Sequence, residues 1–303
     1  MTRTPAAPAG PDRPGGPAAS AGPAGPALRA AGRGGPRIGI VDYGMGNRRS
    51  VEKALAHVGA EPVLSADHDV LRAADGLIVP GVGAFPEAML RLAAAGLDEL
   101  IIDRVAAGVP TLGVCLGMQL AFEHSTEHDG SAGLGIVPGT VRELRASPLK
   151  VPHIGWSRVR WRAASPPACP SRARTPRHGA LLDGLPDEAA FYHVHSYVAD
   201  PTDPADWLGT TEYGERFVTA VARGSFWGVQ FHPEKSSTRG LRLLANFAAL
   251  CAAEPGEPES APPAPIPAPV GAGPGEPESA PPAPIPAPVG AGLGGVRSGT
   301  SDA

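Results

Sequence analysis

The stretch "VPTLGVCLGMQLAFEH" (109–124) joins an apolar run to a run of helical composition through Gly113-Val114-Cys115-Leu116-Gly117. The first part, "VPTLGV" (109–114), is short, apolar and rich in β-branched residues, so it reads as a buried strand. "LGMQLAFEH" (116–124) reads as a helix. G-x-C-x-G at such a junction is the thiol counterpart of the G-x-S-x-G nucleophile elbow. The turn is sharp, and side chains at the two flanking positions would clash with the strand or the helix. The elbow displays the thiol at a helix N-terminus, where orphan N–H groups and the helix dipole stabilise a thiolate. It also leaves a backbone donor, at Leu116, for an oxyanion. The alternative for Cys115 is a small buried hydrophobe, as most free cysteines are. The motif alone leaves both open.

On the N-terminal side, "RIGIVD" (37–42) and "GLIVPG" (76–81) are further buried-type strands, and "PVL" (62–64) is a shorter one. Val51, Leu55 and Val58 recur at helical spacing. "HDVLRAA", "PEAMLRLAAAG" and "LDELIIDRVAAG" read as helices, the second opening on a favoured N-terminal proline. Strand and helix alternate, which predicts an α/β fold: a central, mostly parallel sheet with helices on both faces. After about Gly133 the texture changes. "GIVPGTVRELRA", "KVPHIGWSRVRW", "AFYHVHSYVA", "DWLGTTEYG", "RFVTAVARG" and "FWGVQFHPE" are extended-looking and separated by turn residues. They add mixed or antiparallel strands to the same sheet in the C-terminal half. "TRGLRLLANFAALCA" (238–252) closes the core as an amphipathic helix, and 162–180, rich in proline and arginine, reads as a long surface loop.

Of the 303 residues, the first 36 and the last 50 are dominated by Ala, Gly, Pro and Ser, and "PGEPESAPPAPIPAPVGAG" occurs twice, at 255–273 and 274–292. Such segments lack the apolar side chains that offset chain entropy, so 1–36 and 254–303 read as disordered tails around one domain, 37–253. The first tail carries +3 and the second −5, so the domain, in a chain of −4 overall, carries −2. That balance calls for neither nucleic acid nor an anionic membrane. No apolar run approaches the roughly 18 residues of a membrane span, and the N-terminus lacks the apolar segment of a secretory signal. Three widely spaced cysteines do not make a disulfide framework, and a reducing cytoplasm is the simplest compartment.

A thiol nucleophile needs a base, and the base an orienter. "GVQFHPEKS" (228–236) offers His232 and Glu234, separated by one proline just past an apolar strand. Both side chains can emerge at the carboxyl edge of the sheet, where α/β sites form. A third strand end, Pro80-Gly81-Val82-Gly83 in "VPGVGAF", is a tight turn whose backbone N–H groups can face the nucleophile. A metal site built from His193, His195, His232 and Glu234 is the alternative, since H-x-H and H-x-E can be ligand pairs. No further Cys or Asp cluster completes it. Cys169, in the loop, and Cys251, on the last helix, read as structural.

The segments "VDYGMGN" (41–47), "PGVGAF" (80–85), "GVCLGMQ" (113–119), "HIGW" (153–156), "HSY" (195–197) and "FHPEKS" (231–236), in this order, resemble the class I glutamine amidotransferases. Within them, the chain is similar to the family of glutaminase subunits of imidazole glycerol phosphate synthases, over essentially all of 37–253. The resemblance implies that Cys115 attacks the side-chain amide of glutamine, His232 shuttles the proton, and Glu234 orients the imidazole. Gly81, Val82 and Gly83 match the family's oxyanion strand, which is thought to reorient when the partner enzyme is loaded. Gln119, Ser196 and Tyr197 match positions that hold glutamine. Neither a metal nor a cofactor is implied. The implied partner is a (β/α)8-barrel cyclase subunit, forming a heterodimer. It receives the ammonia, which reacts with phosphoribulosyl-formimino-aminoimidazole carboxamide ribonucleotide. The products would be imidazole glycerol phosphate and aminoimidazole carboxamide ribonucleotide, in histidine biosynthesis. The chain departs from the family pattern at Ser157, usually Asn, at His193, usually apolar, and in the length of 162–180. Two other assignments share the triad: a class I glutaminase serving a different synthase, against which "DYGMGN" and Lys235 argue, and an inert scaffold, against which the intact triad argues.

Overall fold

The computed structural model describes residues 34–162 and 179–253. The tails assigned before residue 34 and after 253, and most of the 162–180 loop with Cys169, lie outside the described residues. The first half alternates as the periodicity predicts. β1 (Arg37–Val41), α1 (Arg48–His57), β2 (Glu61–Ser65), α2 (His68–Arg72) and β3 (Gly76–Gly81) are followed by α3 (Phe85–Ala94), α4 (Leu97–Ala106) and β4 (Thr111–Cys115). β1 pairs in parallel with β2 and β3, and β3 with β4. β2 lies at the edge of the sheet and is half-buried, whereas β1, β3 and β4 are continuous apolar runs because both faces are covered. Their side chains alternate between two buried layers. Ile38, Ile40, Ile78, Leu112 and Val114 pack with Val51 and Leu55 of α1. Val41, Leu77 and Val79 pack with Leu71 of α2 and with Phe85, Leu92, Leu97 and Ile101 of α3 and α4.

The second half runs through a short α5 (Leu116–Leu120), β5 (Phe122–Ser125), β6 (Ser131–Ala132), β7 (Val137–Glu143), β8 (His153–Trp161), β9 (Glu188–His195), β10 (Tyr197–Pro201), β11 (Trp207–Tyr213), β12 (Glu215–Arg223) and β13 (Phe226–Val229). α6 (Ser237–Ala252) ends the described residues and lays Leu243, Leu244 and Phe247 against the α1 side of the sheet. β13 returns in parallel beside β4. The sheet then continues β12-β10-β7-β5-β6, with β11, β8 and β9 branching from β12, mostly by antiparallel pairing. The result is the expected α/β sheet, with a parallel centre and antiparallel additions.

Two local expectations are corrected. "LGMQLAFEH" is not one helix: α5 stops at Leu120 and the chain becomes β5. The backbone carbonyls of Leu120 and Ala121 accept from Leu134 N (2.8 Å) and Val137 N (2.9 Å), and β5 pairs in parallel with β7, so tertiary partners displace the helical ladder. "AFYHVHSYVA" is likewise two strands, broken at Ser196. β9 pairs with β8, whereas β10 pairs with β7 and β12, and a change of partner requires the break.

The β4–α5 elbow shows why its glycines are glycines. A Cβ on Gly117 would lie 1.7 Å from the Val79 carbonyl oxygen, and one on Gly113 2.5 Å from the Gly117 oxygen. Gly117→Ala therefore forces the helix away from β3. We expect a loss of about 3 kcal/mol or more in urea unfolding. Gly59→Ala, at φ +85° with nothing within 4 Å, should lose only about 1 kcal/mol.

Candidate active site

Four strands end on one side of the sheet, and each contributes to one cleft of about 310 Å³, lined among others by Val82, Gly83, Cys115, Leu116, His195 and His232. β4 ends at Cys115, which sits at φ 55°, ψ −111°. A non-glycine residue pays on the order of 1–3 kcal/mol for such a backbone. The surrounding sheet enforces it: Gly81 of β3 is the register partner of Cys115, and Val229 of β13 that of Val114. The thiol is 6% exposed. Gln230 Nε2 approaches Sγ at 3.7 Å, and Sγ lies 3.8 Å from the Val194 carbonyl.

His232 lies three residues beyond β13 and is buried. Its backbone N–H donates to the Tyr192 carbonyl (2.9 Å), and its own carbonyl accepts from Ser236 Oγ (2.6 Å). Nδ1 faces Glu234 Oε1 at 3.0 Å, with both side chains shut from solvent. The intervening Pro233 starts a single 3-10 turn, Pro233–Lys235, which folds the carboxylate back onto the ring. Burial works against an imidazolium here. Hydrogen bonds from the ring to Cys115 and Glu234, with their negative charge, outweigh it and raise the His232 pKa to about 9.

Sequence reasoning placed these three residues at neighbouring strand ends, and the structure brings them together. It also brings Val82, Gly83, Leu116, Gln119, Ser196 and Tyr197 to the cleft wall. Gly81 is not on the wall: it is buried where a Cβ would lie 2.8 Å from Leu116 Cβ. Gln119 is turned partly inward, its Nε2 donating to the Tyr197 carbonyl (3.0 Å) and to Gln230 Oε1 (2.9 Å). The side chain thus ties α5 to β10 as well as facing the cleft.

Several participants carried no role in the sequence. Asn47, from the β1–α1 loop, donates from Nδ2 to Glu234 Oε1 at 3.1 Å, and its own Oδ1 accepts from Ser50 Oγ. Asn47 lies in "DYGMGN", a motif visible in sequence whose spatial target, 187 residues away, was not. Gln230, two residues before His232, could have been found from strand alternation.

The proposed H-x-H metal ligands are committed elsewhere. His195 Nδ1 faces the Tyr197 carbonyl (3.0 Å) and its Nε2 faces His153 Nδ1 (3.1 Å), while His153 Nε2 faces Ser157 Oγ (2.9 Å). A carbonyl only accepts, so His195 donates from Nδ1 and accepts at Nε2. His153 must then donate from Nδ1 and accept from the serine. His193 donates from Nδ1 to the Phe191 carbonyl and accepts from Thr219 Oγ1 at Nε2. Every ring is the neutral Nδ1–H tautomer with both nitrogens satisfied. Among the described residues, no group of three or more His, Cys, Asp or Glu is arranged to hold a metal ion. Burial drives these rings to stay neutral, holding His153 at about 4 and, with His153 adding repulsion, His195 at about 3. His193 is pushed well down by burial and by the other two. The departures Ser157 and His193 thus meet in one network, since the His193 and His153 rings stack 5.0 Å apart.

A larger hollow, about 660 Å³, is lined by Thr126 and by residues 142–149 and Val151. Its lining carries neither a thiol nor a histidine, and Arg142 there is paired with Glu215 and Asp200.

A strained thiol beside a buried His–Glu pair, at the carboxyl edge of a mixed α/β sheet, defines a thiol enzyme of the glutamine amidotransferase type. Comparison with known proteins agrees. Residues 39–251 match the family described as glutamine amidotransferase class-I. Among curated proteins, the "Imidazole glycerol phosphate synthase subunit HisH" of Moorella thermoacetica is 47% identical over 213 residues, 70% of this chain and 94% of that protein. The protein of the same name from Methylococcus capsulatus is 44% identical, over 69% and 94%. Among solved structures, a glutamine amidotransferase aligns with a TM-score of 0.53 at 19% identity, over 71% of this chain and 99% of that one. PurLQS from Thermotoga maritima aligns at 0.51 and 16% identity, over 72% and 97%. These two show a shared fold. The chain belongs to the class-I glutamine amidotransferase family and, within it, to the HisH proteins.

Two titrations follow. His232 is raised above its ordinary 6.5, so the stability it contributes is full below about pH 6.5 and is lost as pH rises through about 9. The three neutral histidines act oppositely, because unfolding lets them bind protons; stability falls as pH drops below about 6.5. Urea unfolding across pH should show a maximum between these limits. In Glu234→Gln, the His232 midpoint, read by NMR of the imidazole, should fall by roughly one unit or more, because an opposite charge is removed.

Proposed function

We propose that the chain is the glutaminase subunit of an imidazole glycerol phosphate synthase, hydrolysing glutamine to glutamate and ammonia for a cyclase subunit. The observation that carries this is the strained Cys115 on its elbow, lining one cleft with His232, which Glu234 holds by Nδ1. The Cys115 thiolate attacks the side-chain amide carbon of glutamine. The carbonyl oxygen takes the negative charge, met by backbone N–H groups of the Val82–Gly83 turn and of Leu116. The carbon–nitrogen bond breaks, and His232 delivers its proton to the departing ammonia. The γ-glutamyl thioester is then attacked by water, whose proton passes to His232. The carbon–sulfur bond breaks, glutamate leaves, and the thiolate–imidazolium pair is restored. Gln119, Ser196 and Tyr197 hold the glutamine. Neither metal nor cofactor enters any step.

A cyclase partner is supported by the names of the HisH relatives, each a subunit of a synthase. The surface around the cleft agrees. Val82, Val151, Ile154 and Trp156 are each at least 40% exposed. Val82 lines the cleft, Val151 adjoins the cleft residue Pro152, and Ile154 is the strand partner of the cleft residue Val194. Apolar side chains grouped at a cleft mouth suit a covering protein. In that heterodimer, ammonia passes to the cyclase, which makes imidazole glycerol phosphate and aminoimidazole carboxamide ribonucleotide in histidine biosynthesis. A nucleophile that works as a thiolate belongs in a reducing cytoplasm. Among the described residues, no helix is long and apolar enough to cross a membrane.

The test is Cys115→Ala in complex with the cyclase. Glutamine-dependent product formation should fall below detection, whereas product formation from ammonium salts should persist, followed by the absorbance of the nucleotide. Glutamine-dependent synthesis surviving the substitution would overturn the assignment.

A further inference from the structure

The loop between β1 and α1 touches the site at two points. Asn47 holds Glu234. Four residues earlier, the Tyr43 hydroxyl donates to the Pro80 carbonyl at 2.7 Å, from a ring only 6% exposed. Pro80 opens the turn whose Val82 and Gly83 line the cleft with Cys115. The packing between loop and turn is close. A Cβ on Gly81 would lie 2.6 Å from the Tyr43 hydroxyl, one on Gly83 2.7 Å from Met45 Cε, and one on Gly46 3.3 Å from the Pro80 carbonyl oxygen. On its other side the turn abuts the elbow, where the same Gly81 Cβ would meet Gly117 N at 3.0 Å. A turn with glycines at 81 and 83, the second at φ +106°, has little intrinsic preference for one backbone conformation. Something outside it must choose the direction of its N–H groups.

We propose that Tyr43 is a positioning residue for acyl transfer: its hydroxyl pins the Pro80–Gly81 peptide and so sets where the Val82 and Gly83 N–H groups stand relative to Cys115 Sγ. This rests on the glutaminase function proposed above. Tyr43 touches neither substrate nor thiol; it acts through the turn. Burial, and then the neighbouring Cys115, raise the phenol pKa, so the hydroxyl remains a donor at every pH at which the fold persists. Without it the buried carbonyl loses that partner, and the peptide can turn toward another donor.

The experiment is Tyr43→Phe, which keeps the ring, assayed with the cyclase present. Hydrolysis of glutamine builds an oxyanion, whereas alkylation of Cys115 by iodoacetamide displaces iodide from a saturated carbon and builds none. The proposal expects kcat for glutamine to fall about tenfold with KM unchanged within a factor of about two, as for partial loss of oxyanion stabilisation. It expects the iodoacetamide rate to stay at the wild-type value. A kcat within about twofold of wild type would overturn it. So would a parallel fall in both rates, which marks a general disturbance of the thiol. Wild-type complex that fails to hydrolyse glutamine would overturn the glutaminase function itself, and this proposal with it.

Discussion

The site depends on one steric constraint: the backbone of Gly117 packs against the carbonyl of Val79 with no room for a side chain. That contact brings α5 hard against β3, and α5 can begin there only if the residue before it bends sharply. Cys115 absorbs the bend at φ 55°. A strained residue at a strand end projects from the sheet, so the thiol reaches the cleft while still packing against the buried layer on the α1 side. The same closeness puts the Pro80–Gly83 turn beside the elbow, because Gly81 fits only between Tyr43 and Leu116. Nucleophile, turn and helix start are therefore consequences of one backbone approach.

The histidines show how environment separates side chains of one type. His232 and His195 line the same cleft. His232 faces a buried carboxylate and the thiol, and so keeps its proton. His195 faces a carbonyl and another imidazole, and so stays neutral. One is equipped to move protons during the reaction. The other three form an uncharged, fully hydrogen-bonded wall. Ser157 supplies the hydroxyl that this wall needs at His153 Nε2, and His193 adds a stacked ring satisfied by Thr219.

Most of the fold was legible because strand and helix periods differ and the first half keeps them cleanly. β1, β3 and β4, and the helices between them, follow from apolar runs and 3.6-residue spacing alone. The failures occurred where pairing with distant segments overrode local pattern. β5 was read as helix because "LAFEH" suits a helix. Only β7, which captures its backbone groups, makes it a strand. Ser196 is unremarkable in sequence, and only the change of partner from β8 to β7 and β12 makes it a break. Cys115, His232 and Glu234 were legible because an elbow and an H-P-E turn are local constructions. Asn47 and Tyr43 were not, because each acts on a residue far away in the chain.

The sequence by itself determined the class of the sheet, the place of the nucleophile on a glycine-flanked elbow, and the pairing of an imidazole with a carboxylate across one proline. All three are short-range facts, set by the volume of side chains and the reach of a few bonds. Only the tertiary structure decided which strand ends meet, that His153, His193 and His195 are neutral, and that the loop after β1 grips both the Pro80–Gly83 turn and Glu234. These are outcomes of burial and of hydrogen bonds between elements far apart in the chain. Their energies exist only once the sheet has brought the partners together and excluded water.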